Sequence, residues 1–213
     1  METEIIRIDD VNKEAALIQA AAAKIRQGQL VAMPTETVYG LAANGLDVAA
    51  VKSLYDAKGR PSYKAFSLQI ADKSMVQDIA QRVPAMAMKL FDRFCPGPIT
   101  IILPKKDTVP KEVTGGKRTV GIRIPDNEIA LAVLKAAGVP LAVPSANISS
   151  HPSPTSAQMV YEDMKGLIPL ILDGGPCDLG IESTIVDCTG EEPVILRHGA
   201  ISEKDIMGAV SKD

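Results

Sequence analysis

Residues 99–125 read ITIILPKKDTVPKEVTGGKRTVGIRIP, and this stretch decides the fold class. Its two ends, 99–103 and 120–124, are apolar, β-branched runs of strand length. The Lys- and Gly-rich connection between them has no helical periodicity, so one strand follows another without an intervening helix. Elsewhere the two element types intermix. Upstream, a helix is expected over 12–27, with Leu17, Ala21 and Ile25 on one stripe and Gly28 as its stop. A short strand at 30–33 ends at Pro34, and a second helix at 48–57 carries Val51, Leu54 and Tyr55 on its apolar side. A strand at 66–70 and helices at 73–82 and 84–94 follow. Downstream, Asn127 caps a helix that ends at Gly138, and 141–143 is a strand. A helix at 155–164 precedes strands at 168–172, 184–188 and 194–197, and Ser202 with Asp205 opens a final helix. The expectation is an α/β protein: a single domain over 1–213, with a twisted, mixed, open sheet and packed helices instead of a regular doubly wound fold.

The 213 residues are 46% hydrophobic and 23% charged, an ordinary globular balance. A formal net charge of −3 argues against nucleic acid or an anionic membrane as an obvious partner. That average hides an asymmetry. Residues 57–125 hold 13 Lys and Arg against 5 Asp and Glu, a local +8, and the remainder carries −11. Such a segment points to an anionic ligand on one face, or else to charges scattered over a solvated surface. The three cysteines, Cys95, Cys177 and Cys188, show no metal spacing, and with only two histidines a protein-ligated transition metal is not expected. The acidic start and the lack of any long apolar run predict a reduced, cytoplasmic protein without a membrane span.

Several short motifs can carry chemistry. PTETVYGL (34–41) leaves the first strand through a proline and offers hydroxyls at Thr35 and Thr37, either for a polar ligand or for an ordinary turn. Lys58-Gly59-Arg60-Pro61-Ser62 follows a helix and pairs a point charge with a planar fork, a combination suited to polyphosphate. The helix dipole accounts for Lys58 equally well but explains Arg60, Pro61 and Ser62 less. In TVGIRIP (119–125), alternation puts Thr119, Gly121 and Arg123 on one polar face. An inward Arg123 needs either a structural carboxylate or that of a ligand. PSANISS (144–150) and PSPT (152–155) bring short hydroxyl and amide groups near a helix start, either as phosphate contacts or as plain loop. There is no GxxxxGK[ST] and no GxGxxG. No nucleophile–base set is suggested, so any catalysis would rest on positioning and electrostatics.

Taken in order, PTETVYGL, KGRP, PGPIT, VGIRIP, PSANIS, PSPT, STIVD and RHG resemble the YrdC family of threonylcarbamoyl-AMP synthases, over about 30–199. The resemblance implies an open mixed α/β sheet with a deep cationic groove. It also implies a reaction joining L-threonine, bicarbonate and ATP into threonylcarbamoyl-AMP and pyrophosphate, for a threonylcarbamoyl transferase that modifies tRNA. ATP would meet Lys58, Arg60, Ser62, Thr119, Ser145, Asn147, Ser153 and Arg197, with Lys58 and Arg60 as the catalytic cations and Mg²⁺ arriving on the nucleotide. Threonine would meet Thr35, Arg123, Val143 and Ser183, with Arg123 on its carboxylate. The chain stops soon after Gly199 and is expected to be the short form, without the extra C-terminal domain of some relatives.

The sequence also departs from the family pattern. Ala65, Phe66 and Gln69 stand where many members have Pro-Leu and then His, Ser150 replaces a usual Gly, and His198 a usual Pro. The first departure touches the amino-acid pocket, which keeps open a relative acting on another small substrate. The other rival is an RNA-binding module of the same fold that uses the +8 segment as a groove, with salt-dependent phosphate contacts; the synthase itself would make at most weak tRNA contact. Three Phe, four Tyr and no Trp leave few platforms for base stacking.

Overall fold

The computed structural model describes residues 1–211. Its strands are β1 (Glu4–Arg7), β2 (Val31–Met33), β3 (Gly40–Asn44), β4 (Ser67–Gln69), β5 (Ile99–Pro104), β6 (Thr119–Arg123), β7 (Leu141–Ala142), β8 (Leu170–Asp173), β9 (Thr184–Asp187) and β10 (Val194–Arg197). Its helices are α1 (Ala15–Arg26), α2 (Val48–Lys58), α3 (Val76–Ile79), α4 (Ala85–Phe94), α5 (Glu128–Ala137), α6 (Ala157–Met164) and α7 (Glu203–Ser211). The strands form one ten-stranded sheet in the order β1-β8-β2-β3-β7-β4-β6-β5-β9-β10. β5 and β6, read from residues 99–125, are antiparallel neighbours, while β4 with β6 and β5 with β9 are parallel. The sheet is therefore mixed, as a chain without strict alternation requires.

Several boundaries follow from local chemistry. Asn127 accepts a hydrogen bond from the Ala130 amide at 3.0 Å, a cap contributing about 1 kcal/mol, and Gly138 ends α5 in the left-handed region. Gly59 does the same for α2 at φ 57°, which places Lys58 on the last helical turn and Arg60 just beyond it. Ser202 accepts from the Asp205 amide and donates to its carboxylate at 2.6 Å, opening α7.

Alternation sorts the strands between two cores. On one face, α1 and α5 pack Ile18, Ala21, Ile25, Val133 and Leu134 against Val31, Leu170 and Leu172. On the other, Val51, Leu54 and Tyr55 of α2 and Leu90 and Phe91 of α4 cover Leu41, Leu68, Ile101 and Ile122. Each fully buried Leu or Ile contributes about 1.5–3 kcal/mol. The first core draws on β1, β8, β2, β3 and β7 but on no residue of β4, β6, β5 or β9. On that side of these four strands lies the cavity described next.

Three elements depart from expectation. β1 and β3 were not foreseen, because EIIR is short and half polar and GLAAN lacks β-formers; pairing with β8, and with β2 and β7, makes them strands. The helix expected at 73–82 is a 3₁₀ turn, Lys73–Met75, followed by the single turn of α3. Ala80 is extended and bridges Lys105, and the Gln81 amide bonds Pro104 O, so pairing to the β5 end takes over the backbone.

Candidate active site

Four strands supply the floor of a cavity of about 160 Å³. Ser67 and Gln69 of β4, Thr100 of β5, Gly121 and Arg123 of β6 and Ile185 of β9 alternate with core residues, so they share one face; all but Gly121 line the hollow. Gly121 is the close approach: a Cβ there would lie 2.9 Å from Thr100 Cγ2 and 3.0 Å from Ser67 Oγ. The walls come from Thr35, Thr37 and Val38 after β2, Arg60 after α2, Val143, Pro144 and Ser145 after β7, and Glu182, Ser183 and Arg197 around β9 and β10.

The cations are held differently. Arg123, 7% exposed, donates to Thr37 Oγ1 at 3.0 Å and lies 2.8 Å from a Glu36 oxygen. Arg197 donates to Glu182, to Ser183 O at 3.0 Å and to Ser183 Oγ at 3.1 Å; Ser183 Oγ in turn shares a 2.8 Å hydrogen bond with Thr100. Arg60 donates to Lys64 O and Ala65 O and lies 5.2 Å over the Phe66 ring. Lys58 is 1% exposed and does not line the cavity. Its Nζ donates to Ser145 O at 2.5 Å and Asn147 O at 2.6 Å, which ties the PSANISS loop to the end of α2. Burial, aided by the nearby Arg60 charge, lowers its pKa to about 8.

Of the residues expected at the site, Thr35, Arg60, Arg123, Val143, Ser145, Ser183 and Arg197 share the cavity, and Asn147 and Lys58 stand behind Ser145. Ser153 is one bond removed, donating to Glu182 at 2.9 Å. Ser62 is exposed and Thr119 half-buried, and neither lines the hollow. The local +8 does not converge as a block: only Arg60 and Arg123 of its thirteen cations line the cavity, while Lys105 bonds Val109 O in its own loop and Lys106 bonds Gln77 O. Glu36, Ser67, Thr100 and Glu182 were not singled out from sequence. Thr100 and Ser67 carried the same alternation as Arg123 but lie on separate strands, and nothing local marked the two glutamates.

Two buried polar atoms on the cavity residues have no partner, Gln69 Oε1 and Arg123 Nε. An unmatched buried donor or acceptor costs about 1–3 kcal/mol, so such a pair in a hollow points to a ligand that completes it.

The PSANISS loop is braced by Asp163 of α6, which accepts from the Ile148 amide at 2.8 Å and pairs with His151. Within the loop, Ser150 is the one non-glycine residue of positive φ (77°) among the described residues. Glycine is the residue that suits such a backbone. The left-handed conformation costs an L-residue about 1–2 kcal/mol, and glycine's extra freedom when unfolded returns roughly 0.5–1. Ser150→Gly should therefore stabilise the protein by roughly 0.5–1 kcal/mol. A lower urea midpoint in the variant would contradict this.

Comparison with known proteins addresses the fold and the family. Residues 23–199 match the Sua5/YciO/YrdC family, described as "Telomere recombination". The chain is 45% identical over 203 residues to the threonylcarbamoyl-AMP synthase of Bacillus subtilis, covering 95% of this chain and 59% of the relative. It is 49% identical over 195 residues to that of Pyrococcus abyssi, covering 92% and 57%. The chain thus spans less than two thirds of the length of these relatives. The structure of P. abyssi Sua5 complexed with L-threonine superimposes with a TM-score of 0.95 at 46% identity, covering 98% of this chain and 61% of that one. Motif order, sheet topology and these matches lead to one conclusion: the chain belongs to the Sua5/YciO/YrdC family.

Proposed function

We propose that this protein is an L-threonylcarbamoyladenylate synthase, joining L-threonine, bicarbonate and ATP into threonylcarbamoyl-AMP with release of pyrophosphate. The observation that carries the reading is the cavity with its unmatched Arg123 Nε and Gln69 Oε1. An amino acid brings a carboxylate acceptor for the first and an amine donor for the second. Relatives covering over nine-tenths of the chain bear this enzyme name, and one of them was solved with L-threonine. At about 160 Å³ the hollow is smaller than the roughly 300–1,000 Å³ typical of drug-sized ligands. It encloses the amino acid and leaves the nucleotide across its rim.

Threonine's carboxylate pairs with Arg123, and Thr35, Val143 and Ser183 enclose the rest of the molecule. Its neutral amine captures bicarbonate as a carbamate, with loss of water, and a carbamate oxygen attacks the α-phosphorus as pyrophosphate leaves. On the nucleotide side, Arg60, Ser62, Thr119, Ser145, Asn147, Ser153 and Arg197 meet the ATP. Lys58, with two of its three N–H bonds on carbonyls, has one left for a phosphate oxygen. Lys58 and Arg60 neutralise the charge that grows on the phosphate oxygens. Among the described residues no group of three or more His, Cys, Asp or Glu is placed to hold a metal, and Glu182 of the cavity is held by Arg197. Mg²⁺ would enter with the nucleotide as MgATP and would shield its phosphates. No helix of the described residues is long and apolar enough to cross a membrane, and the reading places the enzyme in the cytoplasm, handing its product to a transferase that modifies tRNA.

The test is pyrophosphate release from MgATP and bicarbonate, with and without L-threonine. The reading expects release that depends on threonine. Release without threonine, or only with another small substrate, sinks the threonine assignment. No release, together with salt-sensitive RNA binding, supports the RNA-binding alternative.

A further inference from the structure

Glu36 is 5% exposed, is absent from the cavity lining, and stands 2.8 Å behind the guanidinium of Arg123. We infer that Glu36 is a positioning residue: it fixes the Arg123 guanidinium in the cavity lining, and so sets the affinity for the amino-acid carboxylate. The inference rests on the proposed synthase reading and extends it to a side chain that touches no substrate.

The alternative is a buried ion pair that serves folding alone. Such a pair offsets its desolvation only when the remaining lone pairs and N–H groups are satisfied. Here they are not. The Glu36–Arg123 approach is close but misaligned, so both Glu36 oxygens lack a hydrogen-bond donor, and Arg123 Nε lacks an acceptor. What the surroundings do satisfy is orientation. Arg123 NH2 is held by Glu36 and by Thr37 Oγ1. Thr37 is fixed in turn by Thr35, whose hydroxyl donates to Val38 O at 2.7 Å. The Glu36 backbone is pinned by the Leu179 amide at 2.9 Å. Nearby, burial pushes the Cys95 thiol up to about 12 and Cys177 to about 11, so both stay protonated. Glu36 is then the one anion in contact with this guanidinium among the described residues. A guanidinium clamped at one nitrogen, with an unmatched N–H left over, is preorganised for a second carboxylate.

The experiment is steady-state pyrophosphate release by Glu36→Gln, with L-threonine and MgATP varied separately, and by Glu36→Gln combined with Arg123→Ala. The single variant should raise KM for threonine roughly 10- to 100-fold and hold KM for ATP within about twofold. On the Arg123→Ala background, Glu36→Gln should add nothing to the threonine KM, because its effect passes through Arg123. An unchanged threonine KM, parallel rises for both substrates, or a further rise on the Arg123→Ala background each overturns the inference. If Glu36→Gln does not fold, Glu36→Asp carries the test: it keeps the charge, shortens the reach, and must raise the threonine KM selectively. Wild-type protein without threonine-dependent turnover overturns the synthase reading itself; active wild type with an indifferent Glu36→Gln overturns this inference alone.

Discussion

Replacing Lys58 with alanine is expected to lower threonine-dependent pyrophosphate release by roughly 10²–10³-fold, the loss seen when one preorganised charge at a reacting group is removed. The side chain has two roles here. Its ammonium holds Ser145 O and Asn147 O together and, on the proposed reading, keeps one N–H for the nucleotide. The fold should survive, because the α2 end is set by Gly59 and the PSANISS loop keeps its Asp163 brace. A cooperative unfolding transition, lowered by about 1–3 kcal/mol for the carbonyls left without their donor, would show this. Burial and the Arg60 charge hold Lys58 at about 8, and only its protonated form carries the charge. The free enzyme loses that charge as pH rises through about 8, so kcat/KM for ATP should decline above it, while bound phosphate sustains kcat to higher pH. Wild-type-like turnover in Lys58→Ala would remove Lys58 from the mechanism.

Arg123→Ala is expected to weaken threonine binding by about 2–5 kcal/mol, as for loss of one partner from a buried charge pair, with much less effect on ATP. Separate calorimetric titrations with each ligand measure both. The same substitution strands Glu36, and an uncompensated buried carboxylate costs about 3–5 kcal/mol of stability. Adding Glu36→Gln should recover much of that stability without recovering threonine binding. Equal losses for the two ligands would contradict the pocket assignment. Recovery of threonine affinity along with stability would mean that Arg123 serves the fold alone.

What the sequence revealed, and what it hid, follows from how local each signal is. The ends of α2, α5 and α7 were legible because Gly59, Asn127 with Gly138, and Ser202 with Asp205 act within a turn of the backbone they satisfy. β3 was not, since Gly40–Asn44 becomes a strand only through neighbours about ten and a hundred residues away. The polar face of β6 was readable from Thr119, Gly121 and Arg123. That Ser67, Gln69, Thr100 and Ile185 continue the same face depends on the strand order β4-β6-β5-β9, which no local pattern encodes. Arg123 had two open readings, a structural carboxylate or a ligand's. The structure supplies the first in Glu36 and leaves an unmatched Nε for the second. Charge counting misled most: the +8 segment looked like one surface, yet most of its lysines lie away from the cavity.

A crystal structure of the protein with L-threonine and a non-hydrolysable ATP analogue tests the central claim most directly, namely that the hollow holds the amino acid with the nucleotide in line across its rim. The account predicts the threonine carboxylate on Arg123, its amine toward Gln69, and the phosphates between Arg60, Ser145 and Lys58. Threonine bound outside this cavity, nucleotide bound away from its rim, or both in place with Arg123 and Lys58 untouched, would contradict it.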